Sequence, residues 1–140
     1  ISKARRNFGP EVTRRMIIGG FVPSAGHAGK YFLKAMKVKS KLTKEINEAF
    51  KKFDFLIAPT VPILPFKVGE KINDPVALFL VDINTVTANL TGKPAISIPF
   101  AISNGLPIGM QLFADSMQDK SLLQAAYALE QTVKLPEVPI

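Results

Sequence analysis

Residues 82–111 read DINTVTANLTGKPAISIPFAISNGLPIGMQ, and the order of residue types along them decides the fold. Thr91-Gly92-Lys93-Pro94 ends a helix, because Gly accepts the left-handed position past the last turn and Pro cannot continue it. Ala95 to Ile102 then predicts a strand. Pro99, with no N–H for a ladder, marks an edge or a bulge near its end. Asn104-Gly105 is the residue pair that a two-residue hairpin turn favours. Pro107 to Phe113 is the returning strand. At the head of the stretch stands one carboxylate, Asp82, among apolar neighbours.

Upstream, Asp74-Pro75 predicts a helix start, with Asp as N-cap and Pro in the first turn. That helix is expected to run to about Leu90, with Asp82 in its middle. Pro59, Pro62 and Pro65 hold the preceding segment extended. Phe55-Leu56-Ile57-Ala58 reads as a strand buried on both faces of a sheet. Ala35, Val38, Leu42, Ile46, Ala49 and Phe53 recur at helical spacing, which predicts a long helix from His27 to Phe53. A short helix is expected from Phe8 to Ile18, ended by Gly19-Gly20. Downstream, Asp119 is expected to cap a last helix with Leu122, Ala126, Leu129 and Val133 on one face, stopped by Pro136 and Pro139. Such an order belongs to an α/β or α+β layered sheet. Three strands are few for this much helix, so apolar faces are expected to stay uncovered unless further chain covers them.

Composition narrows the function classes. The chain has 140 residues, 47% hydrophobic and 21% charged, as in a globular protein. With no cysteine and one histidine, His27, it holds neither a disulfide framework nor a thiolate or histidine metal cage. The longest apolar run, Val76 to Val81, is too short for a bilayer span. The chain begins at Ile1 rather than Met, which reads as a piece of a longer protein. Its net charge of +7 is uneven: through Phe53 there are 13 Lys+Arg against 3 Asp+Glu, and from Asp54 onward 5 against 8. A basic excess attracts nucleic acid, but no aromatic residues interleave with the Lys run in a stacking pattern. A solvated helix face therefore accounts for it.

Asp82 is the sharpest candidate for chemistry. Thr85 and Asn89 follow at helical spacing, so three polar groups are expected on one line. A carboxylate buried there needs a cation; the alternative is the solvent side of an amphipathic helix. Arg14-Arg15 is the natural cation pair. Successive helix residues point about 100° apart, so at most one faces inward, and two exposed arginines remain the alternative. An inward Arg offers a planar fork to a carboxylate. Ser97 lies in a predicted strand with no base placed beside it, so it reads as structural. His27 reads as a surface residue or cap. Lys93 carries no specific signal.

Three segments carry a resemblance over nearly the whole chain: FGPEVTRRMIIGGFVPSAG, the run from Phe53 to Phe100, and SNGLPIGMQL. They resemble the C-terminal part of the amidase-signature family. Its Gly-x-Pro-Ala strand entry is matched by Gly92 to Ala95, and its Gly-Leu-Pro-x-Gly-x-Gln hairpin by Gly105 to Gln111. The Arg-Arg segment, the Asp-Pro helix start and the Asp of VDINT resemble more narrowly the branch of tRNA-dependent amidotransferase A subunits. Thr87 to Thr91 departs mildly from that branch's commoner Pro-Ala-Asn-Leu-Ala.

The resemblance implies an α/β fold with a mixed β-sheet layered between α-helices. Residues 1–140 would be the C-terminal part of a single such domain. Family members use a Ser-Ser-Lys triad with a backbone oxyanion hole. No Ser-Ser pair or Gly/Ser-rich loop stands in these residues, so no catalytic residue is assigned and this chain by itself is expected to be inactive. The family's glutamine ligands, an Arg for the carboxylate and an Asp for the ammonium, fall on Arg15 and Asp82, with Arg14 as the alternative. The implied activity is glutamine hydrolysis that supplies ammonia to convert Glu-tRNA(Gln) to Gln-tRNA(Gln). The implied partners are the B and C subunits, with ATP and Mg²⁺ used by the assembled complex, no cofactor or metal on this chain, no membrane, and a cytoplasmic or organellar location. Two alternatives stand beside it: another amidase-signature amide hydrolase, and a non-catalytic interaction fragment of that fold.

Overall fold

The computed structural model describes residues 7–24, 28–69 and 74–133. His27, Pro136 and Pro139, and with them the expected helix start and stop, lie outside the described residues. The chain divides into two compact units, residues 1–42 and 43–140.

In the first unit α1 spans Pro10–Phe21, with Gly9 as N-cap and Pro10 in the first turn. It does not stop at Gly19-Gly20 as expected. Neither glycine takes a positive φ, so each costs helix propensity, about 1 kcal/mol relative to Ala, without turning the chain. The helix closes instead where Val22 N–H bonds Ile18 O at 3.0 Å and the Ser24 hydroxyl donates to Phe21 O at 2.6 Å. Ala28–Phe32 form a π-helical turn that leads into α2, Leu33–Phe50, whose residues from Thr43 onward belong to the second unit. Along the expected stripe Leu42, Ile46 and Ala49 are half-buried, whereas Val38 and Phe53 are exposed.

The second unit holds a three-stranded sheet in the order β1-β3-β2: β1 Phe55–Pro59, β2 Ala95–Ser103 and β3 Leu106–Ala114, antiparallel throughout. Asn104 and Gly105 both take positive φ, 52° and 75°, and join Ser103 to Leu106 as the two-residue turn the sequence predicts. Among the described residues Pro99 sits on an edge strand, and the register shifts between Pro99 and Ala101, so both readings of that proline hold. The expectation that Phe55–Ala58 is buried on both faces is not met. β1 is an edge strand among the described residues, and Ile57 is 64% exposed.

One face of the sheet receives α5, Asp119–Thr132. Ile98, Leu112 and Ala114 from the strands and Leu122 and Ala126 from the helix form the core. Asp119 does not cap α5. Gln118 takes that place without a side-chain cap bond, and Asp119 sits in the first turn, where a negative charge suits the helix dipole.

The largest departure lies between the proline-rich segment and β2. One helix from Asp74 to Leu90 is expected; two short ones form, α3 Pro75–Val81 and α4 Val86–Thr91. Asp74 caps α3 as predicted, accepting from the N–H groups of Val76 and Ala77 at 3.0 Å. Asp82 is the C-cap of α3 rather than a mid-helix residue. The bonds from Asp82 N–H to Phe79 O (3.2 Å) and from Ile83 N–H to Leu80 O (3.3 Å) tighten the last turn, and the chain re-enters a helix only at Val86. Side chains of Asn84 and Thr85 take up backbone acceptors here, the competition that makes such residues poor in helix interiors.

Candidate functional site

Asp82 heads a turn that is tied down at several points. Its own carbonyl accepts from Val86 N–H at 3.0 Å and from the Thr85 hydroxyl at 3.0 Å. Asn84 Nδ2 donates to Pro59 O, at the end of β1, at 2.9 Å. Gln111 Nε2, from the middle of the sheet, donates to Asn84 O at 3.4 Å. Asp82 is exposed within this unit, and the expected line with Thr85 and Asn89 is broken by the turn. Beside the turn a cavity of about 220 Å³ opens, lined by Ile57, Ala58, Asn84, Thr87 and Phe113 among others.

The sheet has a second polar feature. The hydroxyls of Thr60 and Ser97 meet at 2.5 Å over Gly109. A Cβ on Gly109 would lie 2.7 Å from Ser97 Oγ and 2.8 Å from Thr60 Oγ1, so glycine is required by the approach. Ser97 has a hydroxyl partner and not a base, in keeping with a structural serine.

Arg14 and Arg15 lie on α1, in the first unit. Both engage one carboxylate. Arg14 forks onto Glu11, Nε to Oε2 and Nη2 to Oε1, each at 2.8 Å; Arg15 Nε donates to Glu11 Oε1 at 2.8 Å. The Arg14 side chain is 33% exposed and that of Arg15 45%. Hydrogen bonds from Arg15 and then from Arg14 hold the Glu11 carboxyl below its ordinary 4.5. Both guanidiniums are thus engaged by a carboxylate of their own helix. Sequence reasoning missed Glu11, although its spacing of three and four residues from the arginines is the helical signal for such pairs.

Lys93 is the other residue the sequence left unmarked. It is buried, bonded to Asp115 and Ser116, and its ammonium lies 5.4 Å from the Phe50 ring centroid. A larger cavity of about 470 Å³ opens by Asp115, lined also by Phe50 and Phe53. Among the described residues, no three His, Cys, Asp or Glu gather as metal ligands would, and no helix is long and apolar enough to cross a membrane.

This sheet and the turn beside it carry the Gly-x-Pro-Ala strand entry and the Gly-Leu-Pro-x-Gly-x-Gln return through which the chain resembles the amidase-signature family. Residues 2–123 match the family described as Amidase, and the chain belongs to that family. It is 61% identical to the A subunit of the glutamyl-tRNA(Gln) amidotransferase of Cenarchaeum symbiosum over 99% of this chain and 29% of that protein. To the corresponding A subunit of Methanococcoides burtonii it is 45% identical over 92% of this chain and 27% of that protein. Among solved structures, the A subunit of the glutamyl-tRNA(Gln) amidotransferase of Thermotoga maritima matches with a TM-score of 0.73 and 42% identity, over 99% of this chain and 33% of that one. A bacterial aryl acylamidase of the amidase-signature family matches with a TM-score of 0.68 at 23% identity, over 91% of this chain and 27% of that one, a likeness of fold alone. The chain therefore spans a third or less of the length of these relatives.

Proposed function

We propose that this chain is part of the glutaminase subunit of a tRNA-dependent amidotransferase. The whole protein would hydrolyse glutamine and pass ammonia to a partner that converts Glu-tRNA(Gln) to Gln-tRNA(Gln) with ATP and Mg²⁺. The observation that carries this reading is 61% identity, over 99% of this chain, to a protein named as that amidotransferase's A subunit. The B and C subunits are its partners in this reading, and the cytoplasm or an organelle its place.

In this reading Arg15 receives the α-carboxylate of glutamine and Asp82 its ammonium, with Arg14 as the alternative fork. The first role rests on the family resemblance; Arg15 meets the Glu11 carboxylate through one bond, and the two-bond fork on it is made by Arg14, which keeps Arg14 in play. Exposure of Asp82, at a turn braced against the sheet, supports the second. Bond making and breaking belong to a Ser-Ser-Lys triad that these residues do not contain, so their part is to bind and orient.

The test is to assemble the complex from the full-length chain and follow Gln-tRNA(Gln) formation with glutamine as donor. Glutamine-dependent amidation, with ammonia release, is the expected result. Hydrolysis of simple amides without glutamine use would instead make the protein another amidase-signature hydrolase. Absence of both would leave an interaction fragment of that fold.

A further inference from the structure

We propose that Asn84, Thr85 and Gln111 are positioning residues that brace the turn carrying Asp82 against the sheet and so set where its carboxylate meets the substrate ammonium. The inference rests on the glutamine reading of Asp82. Its basis is a chain of bonds within one unit. Thr85 holds the carbonyl of Asp82 itself; Asn84 ties the next turn of chain to Pro59 O; Gln111 reaches from the sheet to Asn84 O. The partners of Asn84 lie 25 and 27 residues away in sequence, so these bonds fix the turn to β1 and β3 rather than to its own helices.

Each member suits that task. Gln111 is only 4% exposed, and a buried amide is costly unless bonded. Its placement in a paired strand, opposite both Ala58 and Ser97, makes it a rigid anchor. The acceptor that Asn84 finds is on the edge strand, at a residue type that brings a carbonyl and no N–H. Asp82 ends a seven-residue helix whose Val76, Phe79 and Leu80 are exposed, so the packing of α3 in this unit does little to fix it. The brace supplies that fixation. A charge that must meet an ammonium at hydrogen-bond distance loses most of its use when displaced by about 1 Å.

The experiment uses the amidotransferase assembled from the full-length chain, with kcat and KM measured for glutamine and for ammonium chloride. The variants are Asn84→Ala, Gln111→Met and Thr85→Val, each alone and combined with Asp82→Asn. Each single variant is expected to raise KM for glutamine about tenfold with little change in kcat, lowering the ratio of glutamine- to ammonium-supported rates. Added to Asp82→Asn, each is expected to cause no further loss, because it acts through that carboxylate. Thr85→Val keeps the side chain's shape and serves where Asn84→Ala does not fold. Glutamine use retained in all three while Asp82→Asn loses it would overturn the inference. So would equal loss with both donors, or losses that multiply with Asp82→Asn. Should Asp82→Asn itself keep full glutamine use, the glutamine reading falls and this inference falls with it.

Discussion

Lys93 Nζ donates to Asp115 Oδ1 at 2.5 Å from a side chain only 5% exposed, while the Asp115 side chain is 54% exposed. The pair is lopsided: one charge is buried and the other is in water. The two ends therefore differ in what their loss costs. Removing Asp115 strands a buried ammonium, whereas removing Lys93 leaves a carboxylate that water can solvate.

In the full-length protein, Asp115→Ala is accordingly expected to lower Tm by more than Lys93→Met does. A larger loss for Lys93→Met would mean that packing of the lysine stem, not charge pairing, carries the contact. The pH dependence follows from the same bond. Lys93 first, and then Ser116 N–H, hold the Asp115 carboxyl below its ordinary 3.8. A carboxylate lowered on folding adds stability above its unfolded value and loses it as pH falls through its folded one. The stability difference between wild type and Asp115→Asn is expected to be full above pH 3.8 and to shrink below it, and to stay small because the carboxylate is screened. Chemical denaturation across that range reads it directly.

Asp82→Asn keeps the shape of the side chain and removes its charge. In the assembled enzyme, kcat/KM for glutamine is expected to fall by about 1.5–3 kcal/mol, roughly ten- to a hundred-fold. Ammonium-supported amidation is expected to survive, because that donor bypasses the amino-acid end of the pocket. Collapse of both activities would assign Asp82 to structure or subunit docking.

Arg15→Lys replaces a planar fork by a point charge and is expected to behave like Asp82→Asn. Arg14→Lys is the matched comparison, since Arg14 holds Glu11 through two bonds and Arg15 through one. Kinetics with glutamine decide between them: a larger rise in KM for Arg14→Lys would move the carboxylate role to Arg14.

Gly109→Ala puts a methyl group within 2.8 Å of both hydroxyls of the Thr60–Ser97 pair. Over-packing of this kind costs about 1–3 kcal/mol. Thermal unfolding of the full-length protein is expected to show the loss, and Ser97→Ala in the same background to return part of it. An unchanged Tm in Gly109→Ala would show that the hydroxyls move apart freely.

The chain by itself is expected to show no glutaminase turnover above a buffer blank, since in the reading proposed above the Ser-Ser-Lys triad lies outside these residues. It is also expected to associate or precipitate. Ile17, Phe21, Leu80 and Tyr127 are among many large apolar side chains left exposed. Size-exclusion chromatography decides the point: a monodisperse monomer with a cooperative melt would show that the three-stranded sheet suffices.

What the sequence disclosed was chemistry that is local. Asn104-Gly105, Pro99 and Asp74 each constrain their own backbone, and each appears where it was expected. What it hid was decided at long range. The helical pattern from Asp74 to Leu90 is genuine, yet the bonds of Asn84 to Pro59 and Gln111, far off in sequence, accompany its division in two. Lys93 looked featureless because Asp115 lies 22 residues further on. The glycine pair in α1 misled for another reason: glycine permits a helix end but does not impose one. Arg15 and Asp82 were legible as candidates only through their chemistry and the family resemblance. Glu11, which organises both arginines, was visible at helical spacing and passed over.

Both outer strands of the sheet carry a proline, Pro59 at the end of β1 and Pro99 inside β2. An incoming strand meets Phe55–Ala58 on one side and Ala95–Ile98 on the other before it reaches a residue with no N–H to offer. Among the described residues the two edges thus offer short stretches only, Phe55–Ala58, Ala95–Ile98 and Phe100–Ser103, and a pairing slipped along either edge meets a missing donor after a few bonds. The same prolines that shorten these edges would limit how far an added strand could slip in register, and would disfavour open-ended stacking of one copy on another.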